Sequence, residues 1–189
     1  MMQIVFTKRE NRHYSVVVSR CDLSKAEVLR DRIKLQFQGV GKKFLIPHDL
    51  SHFIVESKLN MRQGFWGCVA DGALFPGMNI LEGRQKPHAK SKSKQIIKAA
   101  HQQLRLAECL VRVFDEIYTV ESDQILSTAR DYLGEISANI QPARLLDTTI
   151  LDVCSTLKAV QFHWQAMDIE QSIEFGWNKN SPSKSSFSI

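Results

Sequence analysis

The apolar residues of this chain change their spacing at Pro47, and this change limits which folds the chain can adopt. Before Pro47, the segments 3–7 (QIVFT) and 14–20 (YSVVVSR) are rich in β-branched and aromatic residues and flank a polar turn. Such a pair of segments predicts an antiparallel hairpin. Apolar and polar residues alternate from 33 to 37 and predict a third strand. We therefore expect residues 1–44 to be β-rich.

After Pro47 the apolar residues recur at spacings of three and four, which is typical of amphipathic helices. Proline suits the first turn of a helix, because its missing N–H would have no intrahelical partner there. The pattern predicts helices over 47–60, 64–73, 93–118, 121–136 and 142–173. The predicted fold is α+β and mostly helical, with an N-terminal antiparallel β-hairpin or small sheet followed by a helical bundle.

The length of 189 residues predicts a single globular domain over 1–177, of which 47–177 is helical. Residues 178–189 are rich in Ser and Lys, with too little apolar surface to offset the entropy of ordering, and predict a disordered tail. No apolar run approaches the roughly 20 residues that cross a bilayer, and no secretory signal is visible. The four cysteines lie far apart, so we expect reduced thiols in a cytoplasmic protein.

The segment 47–56 (PHDLSHFIVE) carries the chemistry that the sequence offers. One quadrant of the predicted helix holds four polar residues, namely His48, Asp49, His52 and Glu56. Two imidazoles one turn apart can ligate one ion, and a carboxylate one turn further can be a third ligand or can orient an imidazole. The pattern predicts a site for a divalent metal such as zinc, manganese or iron, with His48, His52 and Glu56 as ligands.

Three ligands leave a coordination position open for water, which a metal ion acidifies toward a nucleophile at neutral pH. Asp49 is then the candidate catalytic residue, as a general base. These features favour a small metal-dependent hydrolase or lyase acting on a small molecule. They do not name a reaction, and whether the protein is an enzyme stays open.

The residues His48 to His52 (HDLSH) resemble the zincin HExxH motif with Asp in place of Glu. That resemblance implies a distant third ligand, for which the sequence offers Glu82, His88 and His101. The same residues resemble the HDxxH motif of the ubiquinone-biosynthesis metal-binding protein family, which implies divalent-metal binding. In that family a Glu follows about a dozen residues later; here Gly64 occupies the position, and Glu56 is the candidate replacement.

A further resemblance covers roughly the first 75 residues. The segments PHDLSHFIVE at 47–56 and GFWGCVADGA at 64–73 are similar to those of short uncharacterised bacterial proteins, in which a hairpin precedes a PHDLxHFxVE-type helix and a GFWG segment. The resemblance implies the architecture and the importance of the motif, and it brings no activity with it. Phe65 and Trp66 can wall a pocket beside the histidines, although core packing is the alternative.

The sequence is also compatible with two alternatives to a metal site. The histidine face can be a solvated helix surface, with Asp49 complementing the helix dipole and Glu56 paired with Lys58 or Arg62. Alternatively, the chain can be a non-catalytic helical interaction protein that binds a protein partner through its bundle or through the basic stretch 83–107, which lacks Asp and Glu. This stretch has no aromatic residues for base stacking, which disfavours a nucleic-acid partner.

Overall fold

The computed structural model of the chain describes residues 1–20, 33–40, 46–83, 87–137 and 145–187. The strands in these ranges are β1 (Met2–Lys8), β2 (His13–Arg20), β3 (Ile33–Val40), β4 (Asn79–Glu82), β5 (Ser172–Trp177) and β6 (Ser186–Phe187). The helices are α1 (His48–Lys58), α2 (Phe65–Asp71), α3 (Ala89–Ala99), α4 (His101–Ile117), α5 (Ile125–Ser137) and α6 (Asp147–Ala166). The fold is α+β and mostly helical, as predicted.

The strands form one antiparallel sheet in the order β4-β3-β2-β1-β5-β6. The predicted hairpin is β1 with β2, and the predicted third strand is β3. Alternate residues of β1, β2 and β5 are buried, and their neighbours are mostly more exposed. The sheet therefore has one face on the core, which is the usual arrangement of an antiparallel sheet. At the β2–β3 pairing, the Tyr14 ring lies over Gly39, where a Cβ would come within 2.1 Å of it.

Helix α1 is the centre of the core. Every residue from Leu50 to Ser57 is buried. Phe53 packs on the sheet, with its ring 4.9 Å from that of Phe175 and 5.7 Å from that of Trp177. On its other sides α1 contacts α4 and α6. The apolar residues Leu50, Phe53 and Ile54 thus dock on the core, and His52 and Glu56 of the polar quadrant are buried as well.

The structure differs from the sequence prediction between residues 93 and 118. One long helix was expected there, whereas α3 and α4 are separate helices that meet at Ala100. Ala100 has φ −87° and ψ 2°, outside helical geometry, and its side chain is buried in a small cluster with Cys68 and Ala73. This packing explains the break, because it fixes the junction against α2. The basic residues Arg84 and Lys86 lie outside the described residues.

The prediction of helix throughout 47–177 is wrong at β4 and β5, and α6 ends at Ala166 rather than continuing to 173. Met167 is already extended, and the Lys8 ammonium donates hydrogen bonds to the carbonyls of Trp164, Gln165 and Met167 at 3.1, 3.1 and 2.6 Å. A cation is favourable at a helix C-terminus. Lys8 therefore terminates α6 and leads the chain into β5 beside β1.

Residues 178–187 also differ from the predicted disordered tail. Pro182–Lys184 form a 3-10 turn with Pro182 buried, and Ser186–Phe187 pair with β5. The Asn60 side chain accepts a hydrogen bond from the Ser183 N–H at 3.3 Å, and Lys179 pairs with Asp71 at 2.5 Å. These contacts supply the anchoring that the composition alone does not reveal.

Three cysteines, Cys68, Cys109 and Cys154, lie in the described residues, and all are free thiols. Burial raises the pKa of Cys68 to about 12 and that of Cys154 to about 11, so both are protonated near neutral pH. Cys21 lies outside the described residues. Among the described helices, none combines the length and apolar character needed to cross a membrane.

Candidate metal centre

The two histidines of the motif lie at the start of α1. The helix begins directly after Pro47, whose carbonyl accepts the first N–H groups of the helix, from Leu50 and Ser51. His48 and His52 are then one turn apart, with ring centroids separated by 4.8 Å and ring planes at 89°. The His52 side chain is 3% exposed and that of His48 is 42% exposed. One imidazole is thus inside the protein and the other is at its surface.

Both rings point one nitrogen toward the same carboxylate, that of Glu108 on α4. His48 Nε2 lies 3.6 Å from Glu108 Oε2, and His52 Nε2 lies 3.4 Å from Glu108 Oε1. Ligands of a tetrahedral ion with bonds of about 2.0–2.1 Å are about 3.3 Å apart. His48, His52 and Glu108 offer ligand atoms that all lie within 4.8 Å of one another, and this group can hold a metal ion.

The other nitrogen of His52 is held by Glu56. Glu56 Oε1 lies 2.9 Å from His52 Nδ1, and both side chains are buried. The same carboxylate accepts hydrogen bonds from the backbone N–H groups of Phe65 and Trp66, at 2.7 and 3.0 Å. Glu56 therefore faces away from the Nε2 atoms. Of the two roles that the sequence allowed for this carboxylate, metal ligand or group that orients an imidazole, its position fits the second. Glu56 lies outside the group formed by His48, His52 and Glu108.

The other nitrogen of His48 faces Asp115, two turns after Glu108 on α4. Asp115 Oδ2 lies 3.5 Å from His48 Nδ1 and has no closer hydrogen-bond partner among the described residues. Its other oxygen accepts a hydrogen bond from the Ser51 hydroxyl at 2.7 Å. Asp115 is fully buried, so its carboxylate is held in place beside the ring. Each histidine is therefore backed by a buried carboxylate on the side opposite Glu108.

These neighbours shift the proton affinities of all three residues. The Asp115 and Glu108 carboxylates raise the pKa of His48 to about 9, against the lowering effect of burial. Burial strongly lowers the pKa of His52, but hydrogen bonds with Glu108 and Glu56 outweigh it and raise the value to about 10. The two imidazoles in turn hold the pKa of Glu108 below its ordinary value. Without an ion, the site thus carries two imidazolium groups at neutral pH.

Asp49, the predicted general base, lies next to His48 but has a different partner. Its carboxylate accepts a short hydrogen bond from the Tyr14 hydroxyl. Burial, together with this carboxylate, raises the pKa of Tyr14 above its ordinary value. The Asp49 carbonyl also accepts the indole N–H of Trp66 at 2.9 Å. These bonds join the start of α1 to β2 and to α2.

Glycine at position 64 lets Glu56 reach the N–H groups of α2. A Cβ built on Gly64 would lie 2.3 Å from Glu56 Cδ and 2.5 Å from Glu56 Oε2. The carboxylate is buried and fixed by the three contacts described above, so it cannot move aside at low cost. The GFWG segment therefore contributes to the centre through its backbone. The Phe65 side chain also packs against the candidate metal centre, with its ring 5.8 Å from that of His52.

The distant third ligands that the sequence offered lie elsewhere. Glu82 pairs with Lys34 at 3.0 Å. In the part of the chain that the structure describes, neither His88 nor His101 belongs to the metal-ligand group. The predicted pairings of Glu56 with Lys58 or Arg62 are not formed, since Glu56 is buried and Lys58 pairs with Asp152 at 2.9 Å.

Sequence reasoning missed Glu108 and Asp115. Glu108 is far from the motif in sequence, and one exposed acid on an amphipathic helix is unremarkable. A signal was nevertheless present in α4, because Asp115 interrupts the apolar run Val113, Phe114, Ile117 and lies seven residues after Glu108. Two acids two turns apart on one face, one of them inside the apolar stripe, indicate a polar element of the core.

Comparisons with protein-family models, with curated proteins and with solved structures found no match to this chain. The class of protein is therefore defined by the centre itself: an α+β protein with a His-His-Glu group able to hold a metal ion.

Proposed function

We propose that the protein binds a divalent metal ion through His48, His52 and Glu108 and acts as a small metal-dependent hydrolase or lyase. One observation carries the proposal. The Nε2 atoms of both histidines converge on Glu108, while their Nδ1 atoms face the buried carboxylates of Glu56 and Asp115. Histidines that ligate metals regularly have a carboxylate or carbonyl on the second nitrogen, which fixes the ring and its tautomer.

The charges of the surrounding groups support an ion at this position. Three carboxylates, from Glu56, Glu108 and Asp115, surround the two imidazoles. Replacing two imidazolium protons by one divalent ion leaves the net charge of the cluster unchanged. The buried carboxylates are therefore balanced in both states, and ion binding does not require a new buried charge to be neutralised.

The ligand set suits zinc, manganese or iron, because it joins two imidazoles with one carboxylate. With three protein ligands, a coordination position remains for water or substrate. Water bound there is acidified toward neutral pH and becomes a nucleophile. Glu108 and His48 have side chains that are 65% and 42% exposed, so this position is accessible from solvent. Asp49 remains our candidate general base, and Asp49→Asn should then lower turnover without lowering metal content.

Metal content tests the proposal directly. Protein purified after growth with zinc, manganese and iron should contain one ion per chain, measured by elemental analysis. His48→Ala, His52→Ala and Glu108→Gln should each lose most of it. Matched controls lie on α4, where His101 and Glu116 are exposed; His101→Ala and Glu116→Gln should retain the ion. Wild-type protein without stoichiometric metal under all three supplements would refute the proposal.

The comparison of Glu108→Gln with Glu56→Gln separates two possible ligand sets. If Glu108 is the third ligand, its removal abolishes binding, whereas loss of the Glu56 charge weakens it. The reverse order would restore the set His48, His52 and Glu56. Circular dichroism on each variant shows whether metal loss follows from unfolding.

A further inference from the structure

Two arginines stand on either side of Glu108 on α4. Arg105 precedes it by three residues and Arg112 follows it by four, so both share its face of the helix, about 60° and 40° around the axis. Both arginines are exposed. Leu104 and Val111, on the other side of Glu108, are partly or fully buried. The arginines therefore flank the solvent side of the candidate metal centre.

Both guanidinium groups are available to a ligand. Within the described ranges, neither the Arg105 nor the Arg112 side chain has a hydrogen bond or ion pair. Along the helix axis they lie about 4.5 and 6 Å from Glu108, which is within the reach of an arginine side chain. The lysines of α3 add to the positive potential, since Lys90, Lys94 and Lys98 are exposed and α3 contacts α4.

We propose that the ligand of the metal centre carries a phosphate group, which Arg105 and Arg112 bind while the metal ion coordinates one phosphate oxygen. This inference rests on the proposed function. A guanidinium presents its N–H donors in a fork that matches phosphate oxygens. A phosphate monoester has three terminal oxygens, enough for one metal ion and two arginines at once. A carboxylate has only two, so it leaves one of the three cationic groups without its own oxygen.

The test uses full-length protein loaded with Mn²⁺ and titrated with inorganic phosphate, phenyl phosphate or acetate. Calorimetry gives the affinity, and the ³¹P relaxation rate reports whether the phosphorus lies beside the manganese. Both phosphates should bind and acetate should bind more weakly. Phenyl phosphate binding more tightly than phosphate identifies an ester as the ligand class; the opposite order identifies the free anion.

The double variant Arg105→Gln/Arg112→Gln should keep its Mn²⁺ and bind phosphate about tenfold more weakly or worse, since each charge-assisted bond is stronger than a neutral one. The control Arg12→Gln/Lys184→Gln removes the same charge at exposed positions on the β1–β2 turn and near Asn60, and it should bind as wild type does.

Three results would overturn the inference while leaving the metal site intact. They are Mn²⁺-loaded protein that does not bind phosphate, acetate that binds as tightly as phosphate, or a double variant that binds phosphate with wild-type affinity. Protein that takes up no Mn²⁺ or other divalent ion would refute the proposed function and this inference with it.

Discussion

Glu56 Oε1 lies 2.9 Å from Nδ1 of His52, one turn earlier on the same buried helix. The contact joins two side chains that are 0% and 3% exposed, so neither can exchange its partner for water. The same carboxylate caps the start of α2 through two N–H groups. Glu56 thus couples the position of one imidazole to the packing of the neighbouring helix.

Glu56→Gln should weaken metal binding about 10–100-fold, as expected when the group that orients a ligating histidine is altered. It should also lower the free energy of unfolding by about 1–3 kcal/mol, because one buried donor is left without an acceptor. Chelator competition measures the first effect and denaturant titration the second. An unchanged affinity would show that the contact does not orient His52.

Gly64→Ala should act on the metal site through Glu56 without changing any polar side chain. The new Cβ would overlap the Glu56 carboxylate, so either the carboxylate leaves His52 or α2 shifts. We expect a loss of about 1–3 kcal/mol in stability together with weaker metal binding. Gly77→Ala is the matched control for metal binding, since a Cβ there meets no atom within 4 Å. Gly77 has φ 86°, so some loss of stability is expected in the control as well, but its metal affinity should be that of wild type.

Metal affinity should keep rising with pH well above the ordinary histidine range. The metal-free protein holds a proton on His48 up to a pKa of about 9 and on His52 up to about 10. Below pH 9 an ion displaces two protons, so the apparent affinity should rise about hundredfold per pH unit. Chelator competition between pH 7 and 8.5 measures this slope. A plateau above pH 7 would mean that the two histidines titrate normally.

The metal-free protein should show the matching change in stability. Both imidazoles have a folded-state pKa above the unfolded value, so they stabilise the fold fully below pH 6.5, and this contribution is lost as the pH rises through about 9 and 10. In the presence of a chelator, the melting temperature should therefore fall between pH 7 and 10. Metal-saturated protein should show a smaller fall, because its imidazoles are already neutral.

Lys8→Met should destabilise the protein and leave the metal site untouched. The substitution keeps the apolar stem and removes the ammonium that caps the last carbonyls of α6. A loss of about 1–2 kcal/mol is expected, measured by denaturant titration. Lys184→Met provides a comparison at an exposed lysine. Metal content equal to that of wild type would show that destabilisation alone does not empty the site.

Local patterns predicted the parts of the molecule that depend on neighbours in sequence. Alternating apolar residues predicted β1, β2 and β3, and the structure has these strands. The i, i+4 spacing predicted that His48 and His52 lie on one face of a helix, and their rings are adjacent. The same reasoning applies to β5, since the buried Ile173, Phe175 and Trp177 alternate with residues that are less buried. The sequence prediction places this segment in a helix because it continues the helical spacing of α6 past Met167. In the structure α6 ends before Met167, where Lys8 binds its last carbonyls.

The pairing of α1 with α4 could not be predicted in this way. It depends on how two helices pack, and many faces of a helical bundle satisfy the same apolar spacing. From the sequence, Glu108 therefore looks like any exposed acidic residue. Its proximity to His48 and His52 becomes visible only when α4 is packed against α1. Asp115 was the one indication in the sequence of this helix pairing, because a carboxylate among apolar residues of a helix needs a polar partner from another element.

The pairing of β1 with β5 has a consequence for how the chain is made. β1 spans residues 2–8 and is bonded on one side to β2, but its other edge is covered by residues 172–177. During synthesis on the ribosome, that edge stays open until β5 has emerged, while the hairpin and α1 are already available to collapse. Contacts of such large sequence separation slow folding and leave an unpaired strand exposed in the meantime. Until β5 is made, the edge of β1 is therefore a site at which the nascent chain can aggregate.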